Sequence, residues 1–430
     1  MRLLVTGAGG QLATDLLRAV MRLDQPADAV VSAFFRQHRK LGPRERHTLA
    51  ETTYAVLRRK PLFEHLAALG GDKKPNALKV PLMRRLAILG WQGNEAFLRA
   101  ALTPDELAWL ARAQAVKPDN LPAALRHLLP TWLAEALQAA LDKDFWPLAA
   151  ALDQPAPMDL RVNALKMKRD EARRLLAEAG IVAEPTPYSP WGLRVQGKPA
   201  LTQLPLFQDG AIEVQDEGSQ LLALLTDAHR GEMVVDFCAG AGGKTLALGA
   251  AMRNTGRLYA FDVSGHRLAA LKPRLARSGL SNVYPAQIAH ERDDRVKRLA
   301  GKIQRVLVDA PCSGLGTIRR NPDLKWRQSP TDVAELQQRQ QAILVSAARL
   351  VAPGGRLVYA TCSLLRAENE DVAEAFEAAH GREFERLPAA ELLAKAHVEG
   401  ADALVEGDAL RLWPHRHGTD GFFAMAWQRR

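Results

Sequence analysis

Cysteine is scarce: three residues in 430, Cys238, Cys312 and Cys362, odd in number and far apart. That excludes a disulfide framework and paired metal ligands; no metal is expected, and the thiols are expected to work reduced. Long apolar runs are missing as well. None approaches the ~18 residues that a bilayer span requires, and the N-terminus lacks the charged, apolar, small-residue order of a signal peptide, so the expectation is a cytoplasmic chain with no membrane partner. With 47% apolar and 25% charged residues, 31 Gly and 25 Pro, compositional bias is absent too, excluding disordered, collagen-like and low-complexity classes. Acidic residues are in deficit, 48 against 58 Lys and Arg, and the net charge of +10 points to a polyanionic partner.

The length suits two to four domains. Residues 1–145 place apolar side chains three and four apart in ERHTLAETTYAVLRRKPLFEHLAAL and PAALRHLLPTWLAEALQAAL, the period of amphipathic helices. Gly42 and Pro43 open one such run, Gly70 and Gly71 close it, and Pro122 opens another, so this region reads as an all-helical domain. The opening MRLLVTGAGGQLA imitates a dinucleotide-binding turn through Gly7, Gly9 and Gly10, but no strand ending in an acid follows; it reads as a leader ahead of a helix.

Residues 146–208 form a small α+β insert. MDLRVNALKM and GLRVQ alternate like strands, and RDEARRLLAEAG is a helix closed by Gly180. Its Arg161, Lys166, Lys168 and Arg169 are candidates for phosphate contacts. Residues 209–430 alternate strand-length apolar runs, VVDF, RLYAFD, RVLVDA and RLVYATC, with helices, predicting a parallel, doubly wound Rossmann-like α/β sheet. Ligands of such sheets sit beyond the carboxyl ends of the strands, where Asp236, Asp262, Asp309 and Cys362 fall.

DFCAGAGGKT runs from strand through Gly240, Gly242 and Gly243 into helix, letting the backbone approach a ligand. A phosphate-binding GxxxxGK[ST] loop needs glycine where this chain has Cys238. Asp262, about 20 residues beyond Gly242, is placed to accept from ribose hydroxyls, leaving nicotinamide dinucleotide and S-adenosylmethionine as the leading ligands. VLVDAPCSGLG and LVYATCSLL each end a buried strand with cysteine then serine, bringing all three thiols to one crevice.

DFCAGAGGKT, VLVDAPCSGLGTIRRNPDLKW and YATCSLLRAENEDV together resemble the RNA 5-methylcytosine methyltransferases, and the whole chain resembles the bacterial 16S ribosomal RNA branch of that family, whose N-terminal domain is NusB-like. The resemblance implies a doubly wound methyltransferase domain behind a helical domain and a small α+β insert. It also implies S-adenosylmethionine as cofactor, held by Cys238, Ala239, Gly240, Ala241, Gly242, Gly243, Lys244, Asp262, His290 and Asp309. By resemblance Cys362 attacks C6 of cytosine, Cys312 assists release of the product, and Asp309 and Lys244 complete the catalytic group. C5 is a poor nucleophile until a thiolate adds at C6, which is why the chemistry needs an activated cysteine.

Two departures stand out: CAGAGGK replaces the family's CAAPGGK, and Gln287 to His290 stand where relatives carry an acid for the adenine, leaving backbone groups, His290, Asp293 or Asp294 for that contact. Arg319, Arg320 and Lys325, near Trp326, are the expected RNA contacts, and the target is expected to be an unpaired or extruded cytosine of 16S rRNA, bound by a monomer. Two other readings are open: DNA cytosine methylation with Cys312 as nucleophile, and a non-catalytic rRNA-binding protein.

Overall fold

Apolar residues spaced three and four apart fold in the computed structural model as helices that share a core. The structure describes residues 12–69 and 80–430; the Gly7, Gly9 and Gly10 turn and the Gly70–Gly71 stop lie outside the described residues. Helices Leu12–Val20, Ala27–Gln37, Pro43–Arg58, Lys60–Ala68 and Leu82–Leu89 turn Leu16, Leu17, Leu49, Val56, Leu57 and Leu86 inward to complete burial. Pro43 sits where a missing N–H costs no helical bond, and the free Gly42 N–H donates to Glu45 Oε2 at 2.9 Å. Five further helices, Glu95–Ala101, Pro104–Gln114, Ala123–His127, Thr131–Leu141 and Phe145–Leu152, complete this part of the chain.

Contacts divide the chain into two compact units: residues up to Pro155 together with Ile318–Ser329, and Ala156–Thr317 together with Pro330–Arg430. The helical unit therefore ends ten residues later than the expected 145, because Phe145–Leu152 is one more helix whose Pro147 falls in the first turn, where no N–H is needed. It also claims the downstream segment Ile318–Ser329.

This downstream segment corrects the RNA expectation. Lys325 is 1% exposed and donates from Nζ to Arg58 O at 2.8 Å; Arg319 is buried, and its carbonyl accepts from Arg58 Nη2 at 2.7 Å. The Trp326 indole N–H donates to Leu57 O at 2.7 Å, and Asp323 accepts the Ala27 N–H at 3.1 Å. The side chains of Asp323, Lys325 and Trp326 and the Arg319 carbonyl fasten the segment to helices Pro43–Arg58 and Ala27–Gln37, and the Lys325 amine and the indole are spent on packing; Arg320 is half-buried.

In the second unit the insert is an antiparallel sheet. Its strands are β1 (Met158–Val162), β2 (Ala183–Pro185), β3 (Gly192–Val195) and β4 (Ile212–Val214), in order β2-β3-β1-β4, backed by helix Arg169–Glu178. Since β4 pairs Leu160 with Val214, the insert runs past the expected 208. Of its basic residues Arg161 is turned inward, 2% exposed and donating to Gln215 Oε1 at 2.6 Å; Arg169 is half-buried and donates to Ser189 O at 3.1 Å, while Lys166, which donates to Arg277 O at 2.7 Å, and Lys168 are exposed.

The large sheet holds β5 (Met233–Asp236), β6 (Arg257–Asp262), β7 (Val283–Gln287), β8 (Ile303–Asp309), β9 (Val351–Thr361), β10 (Phe384–Leu387), β11 (Val405–Glu406), β12 (Ala409–Leu412) and β13 (Phe422–Arg429). The order is β11-β12-β13-β9-β8-β5-β6-β7, with β10 on β13. β7, β6, β5, β8 and β9 are mutually parallel, as expected; β13 runs antiparallel to β9. Both faces are covered, because Val306, Val308, Leu357 and Tyr359 enter one core and Leu307, Val358 and Ala360 the other. β7 carries Pro285 and escapes the apolar pattern, but on an edge strand the lost donor is tolerated. Strand order reverses between β5 and β8, which opens a crevice beyond their carboxyl ends. Among the described residues no helix is long and apolar enough to cross a membrane.

Burial, the largest influence, lowers the Lys325 pKa from 10.5 to about 7, with Asp153 opposing and Arg58 reinforcing it. Between those values the unfolded chain binds a proton that the folded one has released, so stability rises with pH across that window, and below it the buried charge is a constant cost. Thermal melts between about pH 7 and about pH 10 should show the wild-type midpoint climbing relative to Lys325→Met, by roughly 2–4 °C for each kcal/mol recovered. Parallel pH dependences would disprove it.

Candidate active site

The turn after β5 is shaped by what its glycines omit. Gly240 (φ +56°) and Gly242 (φ +85°) adopt left-handed conformations, and a Cβ on Gly242 would lie 2.1 Å from Leu271 Cδ1. Between them the backbone folds back, Gly242 N–H to Ala239 O at 2.9 Å, and helix Gly243–Ala251 begins with its free N–H groups facing the crevice. Asp262, ending β6, braces this loop: one oxygen accepts from Gly240 N–H at 2.8 Å, the other from Ser264 N–H at 2.7 Å, and each keeps a second lone-pair direction. The insert braces it from outside. Glu213 of β4 accepts from Arg274 and Arg277 at 3.0 and 2.6 Å, and Arg274 also donates to Ala241 O at 2.6 Å.

A cavity of about 620 Å³ opens beyond the strands, lined among others by Cys238, Asp262, His290, Asp309, Cys312 and Cys362. A smaller one of about 230 Å³ lies along the glycine loop, against Gln215, Asp236, Lys244 and Asp309. The residues fit a cofactor there. The larger cavity falls within the ~300–1,000 Å³ typical of such sites, and Asp236 Oδ1, buried without a hydrogen-bond partner, borders the smaller one. Burial above all lifts the Asp236 pKa to about 7, against the Thr245 hydroxyl, which donates to its other oxygen at 2.7 Å.

Lys244 and Asp309 form an ion pair at 2.7 Å. Burial is the largest single influence on Lys244 and lowers its pKa, but the charge and hydrogen bond of Asp309, with Cys362 and Asp236, outweigh it and leave the pKa raised. The ammonium is thus firmly charged beside the smaller cavity, while Cys362 lines the larger one and Asp309 borders both. Cys312 Sγ and Cys362 Sγ are 3.4 Å apart. The hydrogen bond to Cys362, then burial, then the charges of Cys362 and Glu368 push the Cys312 thiol well up, so Cys312 keeps its proton. Burial also raises Cys238, which stays a thiol.

Every residue expected to meet the cofactor or reacting base falls on this crevice: Cys238, Ala239, Gly240, Ala241, Gly243, Lys244, Asp262, His290, Asp309, Cys312 and Cys362 line the two cavities, and Gly242 makes the turn between them. Asp293 and Asp294 are turned to local work. Asp293 accepts from Ala289 and Arg295 N–H, both at 2.9 Å, and Asp294 pairs with Lys297. Glu291, which the sequence did not single out, borders the cavity next to His290 instead. Arg267, on the helix Gly265–Ser278 that follows β6, borders both cavities.

Gly242→Ala should cost roughly 2–5 kcal/mol, from the left-handed backbone and the overlap with Leu271 together. The measurement is the urea midpoint; an unchanged midpoint would show that the turn relaxes freely.

Comparison with known proteins converges on one family. The family model described as 16S rRNA methyltransferase RsmB/F matches residues 223–428, and the ferredoxin-like domain of RsmF/B-like methyltransferases matches residues 129–202. A probable ribosomal RNA small subunit methyltransferase B of Synechocystis is 33% identical over 444 residues, covering 96% of this chain and 97% of the relative. A protein of the same description from Bacillus subtilis is 35% identical over 344 residues, covering 80% and 76%. The crystal structure of PH0851 matches with a TM-score of 0.77 at 27% identity, covering 97% of each chain. With the glycine loop, the acid of β6 and the paired thiols in place, the chain belongs to the RsmB/F family of S-adenosylmethionine-dependent RNA (cytosine-5) methyltransferases.

Proposed function

We propose that this protein methylates C5 of a cytosine in 16S ribosomal RNA through a covalent bond between Cys362 Sγ and C6 of the base. The observation that carries the proposal is the 3.4 Å approach of Cys312 and Cys362 in a cavity shared with Asp309, with Lys244 paired to that carboxylate. The matched relatives are described as small-subunit rRNA methyltransferases, which supports the choice of RNA.

Lys244 stabilises negative charge on Cys362, whose sulfur adds to C6 and makes C5 electron-rich. S-adenosylmethionine, when bound by the glycine loop and Asp262, supplies an electrophilic methyl on a sulfonium. Asp309 accepts from Lys244 and borders both cavities, so it can take a hydrogen bond from the base edge or the cofactor. Cys312, held as a thiol against Cys362, is placed to pass its proton to the departing Cys362 sulfur and take the C5 proton in its stead; the electrons of the C5–H bond restore the ring double bond as the C6–S bond breaks, and Cys362 afterwards releases its proton to solvent. A cytosine stacked and paired within a duplex cannot bring C5 and C6 to sulfurs that line this crevice, so an unpaired or extruded nucleotide is the substrate form. Both thiols must be free, which suits a reducing cytoplasm.

Methyl label from S-adenosylmethionine should enter 16S RNA prepared from cells lacking the protein, at a single cytosine located by bisulfite sequencing. Cys362→Ala should reduce transfer to background while RNA binding persists. Cys312→Ala should accumulate a protein–RNA adduct that survives denaturation. Label entering DNA rather than RNA, or undiminished transfer by Cys362→Ala, would overturn the proposal.

A further inference from the structure

The two sulfurs sit on loops, and something must keep those loops together. The last rung between β8 and β9 is the Ala310 N–H to Ala360 O bond at 2.9 Å. Cys312 and Cys362 both lie beyond it, where parallel strands part into separate turns.

Behind them stands Glu368, with no exposed surface. Its Oε1 accepts from Ser313 N–H at 2.8 Å and from Gln340 Nε2 at 3.0 Å; its Oε2 accepts from Ser313 Oγ at 2.5 Å and from Ser363 Oγ. Ser313 directly follows Cys312, and Ser363 directly follows Cys362. One carboxylate therefore holds the residue after each thiol. The next residue extends the hold: Asn369 donates to Ser363 O at 3.0 Å and accepts from Thr361 Oγ1 at 2.5 Å. Glu368 is itself fixed through its carbonyl, which accepts from Tyr359 O–H at 2.5 Å.

The chemistry of these partners is selective. Ser313 N–H and Gln340 Nε2 can only donate and both meet Oε1, while the two serine hydroxyls donate to Oε2, so a carboxamide of the same shape would have to reverse both hydroxyl bonds and would give up the charge assistance of all four. Stability alone is a poor reason for such a group, because a buried carboxylate is expensive to desolvate and well-packed apolar residues serve a core at least as well.

We propose that Glu368 is a positioning residue for methyl transfer: by joining Ser313 to Ser363 it sets the distance between the Cys312 and Cys362 sulfurs. The inference rests on the covalent reading above for its link to catalysis, while the distance itself can be measured without RNA.

Diamide provides that measure on the full-length protein. It accepts both thiol hydrogens across its N=N bond, becoming a hydrazine, as one S–S bond forms between Cys312 and Cys362; peptide mapping after alkylation of free thiols gives the rate. In Glu368→Gln, cross-linking should slow at least about fivefold and kcat fall at least about tenfold, with KM for S-adenosylmethionine within about twofold of wild type. Ser313→Ala, which removes one arm, should give smaller losses, and the double variant should be no worse than about twofold beyond Glu368→Gln alone, because both act on one link.

Cross-linking of Glu368→Gln at the wild-type rate would overturn the inference, as would slowed cross-linking with unchanged kcat; in the second case the covalent reading still stands. If cytosine transfer fails in wild type, the cross-linking rates still decide whether Glu368 sets the spacing. Should Glu368→Gln lose cooperative unfolding, Ser313→Ala carries the test: unchanged cross-linking and kcat there would overturn it.

Discussion

Asp309 and Ala360 are neighbours in register on two parallel strands, and the chemistry of this protein hangs on that pairing. β8 delivers Cys312 three residues later and β9 delivers Cys362 two residues later, from strands whose separation is fixed by ladder hydrogen bonds. Two thiols from sequence positions 50 apart thereby meet at 3.4 Å. Parallel neighbours end on the same side of a sheet, so the acid of one strand, the thiols of two and the glycine turn of a third share one rim without any long loop being needed to gather them.

Charge then divides labour among like groups. Three aspartates end strands around the crevice, and each is placed differently. Asp236 is buried and lifted toward neutrality, Asp262 is spent partly on the loop backbone, and Asp309 is paired with Lys244. The cysteines divide similarly: burial keeps Cys238 protonated, its partner keeps Cys312 protonated, and Cys362 lines the larger cavity within electrostatic reach of the Lys244 ammonium. The insert contributes rigidity, since Arg274 ties Glu213 of its edge strand to the loop carbonyl of Ala241.

Much of this was legible because it is local. A glycine turn, an acid at a fixed distance and a cysteine at the end of an apolar run each occupy a few consecutive residues, so DFCAGAGGKT, DAPCSG and TCS disclosed the rim before any coordinates did. What stayed hidden depends on distant partners. Nothing near Lys325 announces that Arg58, 267 positions away, will bury its ammonium, and the same holds for Arg161 against Gln215. Isolated basic residues look alike in a sequence whether they face phosphate or a carbonyl. Glu368 escaped for the opposite reason: it stands within a quoted motif, but its meaning lies in Ser313, 55 residues earlier. The strand with Pro285 and the helix with Pro147 were missed because proline reads as a breaker until the edge or first-turn position is known.

The segment Ile318–Ser329 folds with the helical unit although the chain before and after it belongs to the other. The polypeptide consequently passes between units three times, after Pro155, after Thr317 and after Ser329, so no single cut yields two self-sufficient halves. A fragment beginning at residue 156 would keep Trp326 and Lys325 but lose the Leu57 and Arg58 carbonyls that receive them, leaving an orphaned dozen residues in the middle of an otherwise intact catalytic module. Modular exchange of the N-terminal part between relatives therefore has to carry that strap along with it.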